Sequence, residues 1–357
     1  MDDAVIDLSN PEAEAWYKDK LAKLLRMGAG IFTADFAEAA PLSGLYHSKH
    51  ASFLEHNLYP LRYNKAVSEA TEEVSGHGAI YARSAWAGSQ RYPLHWGGDA
   101  ETTDAAMAAT LRAGLSLGLC GFSFWSHFIG GFPYPMPPDL YLRWLAFGVL
   151  SSHSRCHGMP PTEQWQYGEE FTEAFRRIVE MRYRLMPYVY AQARLCSEEG
   201  YPMLRALFFE FPEDPTCWTV EDEYMFGEDI LVAPLVEEAR SRNVYLPPGS
   251  WVDYQGGRTC EGDRWHHISA GELPVIMLVR EGATIPRVEL AQSTDRIDWS
   301  EVELAVFGGG APTAEGLVCL PGDGELHRLR LERDGEGFAL EGDPLRGRVA
   351  FRVVRPA

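Results

Sequence analysis

Asp35 and Asp99 are the two acids in this chain best placed for chemistry. Asp35 ends the apolar run Gly30-Ile31-Phe32-Thr33-Ala34, and Asp99 follows His95-Trp96-Gly97-Gly98, so each stands where a strand gives way to a loop. Two carboxylates brought together on the C-terminal rim of a barrel can work as an acid and base pair, or as a nucleophile with an acid, the arrangement that cleaves glycosidic bonds. By pattern alone the signal is weakly specific, since acids at loop starts also cap helices or face water. Arg83 closes the run Gly78-Ala79-Ile80-Tyr81-Ala82 and would serve either a ligand or a neighbouring acid.

Elements that would position these residues follow a regular cadence. Near the start, Ser9 or Asn10 can cap a helix that Pro11, Glu12 and Glu14 favour and that Gly28 and Gly30 stop; Tyr17, Leu21, Leu24 and Leu25 share one face of it. Apolar runs at 30–35, 78–84, 92–96, 121–127 and 203–211 read as five buried strands. Between them lie helical stretches at 57–74, from Asp104 through Met107, Leu111 and Leu115, and at 171–195. That is βαβ order with polar residues at the strand C-termini. From about Pro212 the texture changes to short alternating runs with frequent Gly and Pro, among them 230–234, 244–249, 251–254, 276–280, 328–331 and 349–353, which read as antiparallel strands. Five parallel strands fall short of the eight that usually close such a sheet.

The full strings carry more than the acids alone. Phe32-Thr33-Ala34-Asp35-Phe36-Ala37-Glu38, Arg83-Ser84, His95-Trp96-Gly97-Gly98-Asp99, Trp125-Ser126-His127-Phe128-Ile129-Gly130-Gly131-Phe132 and Ser151-Ser152-His153-Ser154-Arg155-Cys156-His157-Gly158 occur in this order, followed by Tyr224-Met225-Phe226-Gly227-Glu228-Asp229, Val232-Ala233-Pro234 and Leu246-Pro247-Pro248-Gly249-Ser250-Trp251. Over roughly residues 5–290 the chain closely resembles glycoside hydrolase family 31, the α-glucosidase and α-xylosidase family, particularly its bacterial α-xylosidase branch. The resemblance implies an α/β fold, a partial TIM (β/α)8 barrel of about strands 4 to 8 followed by all-β C-terminal domains, with boundaries at 1–212, 213–294 and 295–357. It makes Asp35 the nucleophile and Asp99 the acid/base of a retaining mechanism. Arg83, Trp96 and His157 match positions that hold the sugar. Taken from the residues themselves, Phe122, Phe124, Trp125, Phe128 and Phe132 read as core ahead of a ligand platform, although Trp125 and Phe132 lie near the rim and could stack on a sugar face. The implied chemistry needs no metal and no organic cofactor, and the implied substrate is an α-linked xyloside or glucoside.

Three departures from the family pattern bear on that expectation. Thr33 replaces a Lys that contacts substrate, with Ala34 and Ala37 replacing a Thr and a Gly; losing the Lys weakens the case for xylosides. Phe128 replaces an Asp and removes a charge from the edge of the site. The family's N-terminal β-sandwich and first three β/α units would lie before residue 1, so the gene product is longer or split, or the chain is catalytically impaired. An open remnant would expose apolar sheet edges and helix faces, which invites aggregation, a homo-oligomer or a missing N-terminal chain. Two rivals stay open: α-glycosyl transfer by the same residues, and a non-catalytic fragment or subunit that binds carbohydrate or completes a partner barrel.

Composition narrows the classes. The 357 residues are 46% hydrophobic and carry a net charge of −19, which supports a folded core and argues against a nucleic-acid or anionic-membrane partner. The most apolar stretch, 113–125, is shorter than the roughly 20 residues of a spanning helix. The first residues show no basic start and no long apolar run, so no secretory signal is expected. Cys120, Cys156, Cys196, Cys217, Cys260 and Cys319 form no C-x-x-C pair and read as reduced thiols of a cytoplasmic protein. His47, His50 and His56 set no tetrahedral pattern and read as packing or surface residues, as does His153. Asp7, Glu38 and Glu69 read as solvated surface acids, and Cys156 has no context that would make it a nucleophile beyond His157.

Overall fold

A computed structural model describes residues 4–354 except 309, 323, 343 and 346. The chain divides into two compact units at Gly98–Asp99. The first unit runs α1 (Pro11–Arg26), β1 (Thr33–Ala34), α2 (Ser52–Ser75), β2 (Tyr81–Ala82) and β3 (His95–Trp96). Asn10 caps α1 by accepting the Glu12 N–H, Pro11 fills the first turn, and Leu21, Ala22 and Leu25 are buried. Leu24, expected on the same face, is exposed. Strands β1, β2 and β3 lie side by side and parallel, in the register Ala34 opposite Ala82 and Ala82 opposite His95. Each is only two residues long, far shorter than its apolar run. Ala34, Val67, Ala70, Ile80 and Ala82 form the core between this sheet and the helices.

Asp7, Glu55 and Glu69 in this unit are structural ties. Asp7 accepts from Ser9 and from the His47 N–H, and these bonds hold its carboxyl below its usual range against a desolvation that would raise it. Glu69 takes Lys18 and Lys65 at 3.2 and 3.1 Å, so it is a cross-tie between α1 and α2 and not a free surface acid. His50 meets the buried Glu55 at 2.9 Å and His56 the Ala40 carbonyl.

The second unit begins α3 (Asp104–Leu119), β4 (Trp125–Ser126), α4 (Pro138–Gly148), α5 (Glu169–Arg184), α6 (Met186–Glu199), β5 (Leu204–Ala206) and α7 (Leu207–Glu210). Thr103 caps α3 by accepting the Ala106 N–H, and Asp104 pairs with Arg143 at 2.8 Å. Arg143 is buried and also donates to Asp139 and to the Leu235 carbonyl, so one guanidinium joins α3, α4 and the strands that follow. The stretch expected as one helix at 171–195 is two, because Pro187 in the first turn of α6 cannot donate a helical hydrogen bond to α5.

Thereafter the chain is β: β6 (Tyr224–Phe226), β7 (Ile230–Pro234), β8 (Ser241–Leu246), β9 (Ser250–Asp253), β10 (Thr259–Glu261), β11 (Arg264–Ser269), β12 (Val275–Arg280), β13 (Thr284–Arg287), β14 (Glu301–Val306), β15 (Thr313–Cys319), β16 (Leu326–Asp334), β17 (Gly337–Leu340) and β18 (Ala350–Val354). One sheet has the order β10-β9-β12-β7-β6-β5, β8 and β11 form a two-stranded ribbon, and two three-stranded sheets follow, β13-β14-β18 and β15-β16-β17. The run at 203–211, expected as a fifth parallel strand, is a three-residue strand antiparallel to β6 followed by a helical turn. Strand β18, expected antiparallel, runs parallel to β14. A single apolar core joins α3 through α6 to the sheet of β6, β7 and β12. Among the described residues no helix is long and apolar enough to cross a membrane.

Candidate active site

In the first unit the β1–β2 register sets the residues that follow, Asp35 and Arg83, side by side at the carboxyl ends of neighbouring parallel strands. The Arg83 N–H donates to the Ala34 carbonyl, which extends the ladder to the edge of the site. Arg83 Nη1 lies 3.1 Å from Asp35 Oδ1. The same guanidinium donates to both oxygens of Glu38, at 2.7 and 3.3 Å, and its carbon lies 4.2 Å from the centre of the Phe36 ring. A planar cation held by two carboxylates and an aromatic face has little freedom to swing. The Arg83 side chain is 15% exposed and that of Asp35 43%, so the cation is the mostly buried support and the carboxylate the more open end of the pair. Glu38 is therefore no free surface acid; its spacing, three residues beyond Asp35, was the available signal.

Backbone geometry brings Glu38 back beneath Arg83. Phe36 and Ala37 sit at φ +60° and +79°, a region that costs an L-residue roughly 1–2 kcal/mol. Where the family pattern has glycine this chain has Ala37, and it bears that cost at the acid's own turn. Asp35 Oδ1 accepts the Phe36 N–H at 2.8 Å, which fixes the carboxylate against the strand end. Beside it lies a cavity of about 360 Å³ lined by Asp35, Phe36, Ile6, Leu8, Tyr59 and Tyr63 among others. Burial pushes the Tyr59 phenol up to about 12 and raises that of Tyr63 further, so both are neutral hydroxyls near pH 7.

Trp96 is 2% exposed and lies flat on Tyr81, ring centres 4.6 Å apart and planes 9° from parallel, which braces β3 against β2.

In the second unit three loops are laced together by their backbones. Phe132 N–H donates to the Ala100 carbonyl, Ile129 N–H to Arg155, and Met159 N–H to Phe132. Gly131, at φ +84°, lets this happen: a Cβ there would come within 2.7 Å of the Glu101 carbonyl oxygen. The segment that opens with the exposed Asp99 is thus fastened to the loop of Phe128 and Phe132, which is fastened in turn to that of His157. Their rings meet: Phe128 to His157 at 4.7 Å edge-on, Phe132 to His157 at 5.5 Å, and Phe128 to Phe132 at 5.8 Å. Phe128 is 3% exposed and also lies 5.3 Å from the Arg155 guanidinium carbon. In place of a charge it supplies an apolar wedge that supports the half-buried His157 and Phe132.

Trp125 does not join them. It is 1% exposed, with its ring seated directly over Gly114 of α3, so no face is open to a sugar; core packing has claimed it. The structure thus brings Asp35 together with Arg83, and Phe132 together with His157 and the Asp99 segment, while Trp96 and Trp125 are packed.

Residues 1–192 match the Glycosyl hydrolases family 31 TIM-barrel domain and residues 200–285 the Glycosyl hydrolase family 31 C-terminal domain. An alpha-xylosidase of Emericella nidulans is 41% identical over 297 residues, 79% of this chain and 38% of that protein. Alpha-xylosidase XylQ of Lactiplantibacillus pentosus is 38% identical over 302 residues, 80% of this chain and 39% of that protein. A Flavobacterium johnsoniae GH31 dextranase, solved in complex with glucose, superposes with a TM-score of 0.86 at 28% identity, covering 94% of this chain and 45% of that one. The chain spans about two fifths of the length of the curated relatives it matches. Because the barrel-domain match alone takes in more than half of the residues and the strand-end acids lie within it, the chain belongs to glycosyl hydrolase family 31.

Proposed function

We propose that this chain carries the catalytic acids of a retaining α-glycosidase acting on terminal α-linked xylosides or glucosides. In the first step an Asp35 oxygen attacks the anomeric carbon as the glycosidic bond breaks, and Asp99 gives its proton to the departing oxygen. In the second, Asp99 takes a proton from water as that water attacks the same carbon; the ester to Asp35 breaks and the sugar leaves with its original anomeric configuration. Arg83 holds the Asp35 carboxylate, and Phe132 and His157 supply a wall for the sugar.

One observation carries the reading: an exposed carboxylate is clamped by a mostly buried guanidinium at the carboxyl ends of adjacent parallel strands, where enzymes of barrel folds place their chemistry. The α-xylosidase relatives support the choice of sugar.

The test is release of p-nitrophenol from the α-xyloside and the α-glucoside by the purified chain beside Asp35→Ala and Asp99→Ala. Turnover that both substitutions abolish, with the α-anomer released first by NMR, is the expected result. Turnover that survives Asp35→Ala, or a β-anomer product, would reject the mechanism. A folded chain without turnover would reject activity of this chain alone.

A further inference from the structure

We propose that the β8–β11 ribbon carries a second carbohydrate site, built from none of the proposed catalytic residues, that takes one pyranose ring of a neutral oligosaccharide against Trp265. The register sets Trp265 opposite Tyr245, His267 opposite Asn243 and Ser269 opposite Ser241, so Trp265, His267, Asn243 and Ser241 share one face. Trp265 is 52% exposed on that face. Its ring rests on Tyr245, with centres 5.4 Å apart, and the Tyr245 hydroxyl is anchored by donating to Asp214 at 2.7 Å. The indole is therefore a fixed platform whose outer face meets water, and it needs no ordering when a ligand arrives.

Beside it opens a cavity of about 290 Å³, lined also by Asp222, Glu237, Arg242 and Asn243. That is the low end of the roughly 300–1,000 Å³ typical of small-molecule sites, and it suits a single ring. The polar wall is organised: His267 Nδ1 meets Asn243 Oδ1 at 3.0 Å and His267 Nε2 meets Ser241 Oγ at 3.1 Å. This turns the Asn243 amide so that its nitrogen has no partner among the described residues, and the Glu237 carboxylate has none either. One donor and one acceptor thus stand unused beside an open aromatic face.

Two features select the ligand. The one cation of the cavity wall among the described residues, Arg242, already pairs with Asp222 and donates to the Asp222 and Pro234 carbonyls, so Glu237 leaves the site net negative and unfit for phosphate or another anion. The wall beside the indole is largely polar, with Asp222, Glu237, Ser241, Arg242 and Asn243, which suits a hydroxylated ligand better than the apolar centre of a protein interface. A pyranose offers what remains: a face of C–H groups to lie on the ring and hydroxyls at its edge for Asn243 and Glu237.

The test is titration of the Asp35→Ala chain, which blocks turnover by the proposed mechanism, with maltose, isomaltose or inorganic phosphate. Indole N–H signals are followed by NMR, and that of Trp265 is identified by its absence in Trp265→Phe. A saturable shift of the Trp265 signal with sugar, none with phosphate, and a weakening of at least about fivefold in the exposed-site variant Asn243→Ala are expected. No saturable shift, shifts confined to indoles that persist in Trp265→Phe, an equal response to phosphate, or an unchanged affinity in Asn243→Ala would each overturn the proposal. Because the readout is binding at one named indole, its result is independent of whether the chain turns over a glycoside.

Discussion

Glu223→Gln should flatten the dependence of stability on pH. Glu223, just before β6, has no exposed surface; its Oε1 accepts the Tyr245 N–H at 2.9 Å and lies 3.8 Å from Arg242, and its Oε2 meets no partner among the described residues. Burial pushes its carboxyl from 4.5 up to about 8, assisted by Asp222, while the Tyr245 bond and Arg242 pull the other way. Between those two values the folded chain holds a proton that the unfolded chain has released. The stability this group contributes is complete below about pH 4.5 and is lost as pH climbs through 8, at about 1.4 kcal/mol per unit. From pH 5 to pH 8 that is a loss of about 4 kcal/mol, which the isosteric amide, neutral throughout, does not suffer. Asp229, raised by burial to about 7, slopes in the same direction in both proteins and cancels from the difference. Urea unfolding of wild type, Glu223→Gln and the exposed control Glu221→Gln at several pH values in this window measures it. The gap between wild type and Glu223→Gln should widen with pH while Glu221→Gln tracks wild type. Parallel curves would mean that Glu223 is ionised in the folded chain and would refute the argument from burial.

Two further predictions concern the turn that holds Asp35. Arg83→Lys keeps a charge but loses the fork to Glu38 and the guanidinium contact over the Phe36 ring; kcat on an activated α-glycoside should fall about a hundredfold with the thermal midpoint nearly unchanged, and an unaltered kcat would remove Arg83 from the positioning role. Ala37→Gly relieves an L-residue at φ +79° and should raise unfolding free energy by about 1 kcal/mol, read from the denaturant midpoint; a loss of stability would show that unfolded-chain entropy outweighs the backbone strain.

What the sequence determined by itself is what neighbours within a turn or two decide. Asn10 and Pro11 start α1, Met107, Leu111 and Leu115 form the buried stripe of α3, and the short runs after residue 212 become strands. Asp35 and Arg83 were likewise legible as strand-end residues, because an apolar run that stops at a polar side chain marks the exit of a buried strand. Motif order then pointed to the family. Interactions between residues far apart in the chain were decided by the tertiary structure. Glu38 and Arg83 are 45 positions apart, so nothing local distinguishes a clamp from a solvated acid. Trp125 reads as core or as a rim aromatic until Gly114 lies over its ring and settles it as core, and the run at 203–211 reads as a parallel strand until β6 pairs with it antiparallel. Glu223 shows the same division: its composition is that of a surface acid, and only the strands closing over it remove the water that would keep it charged.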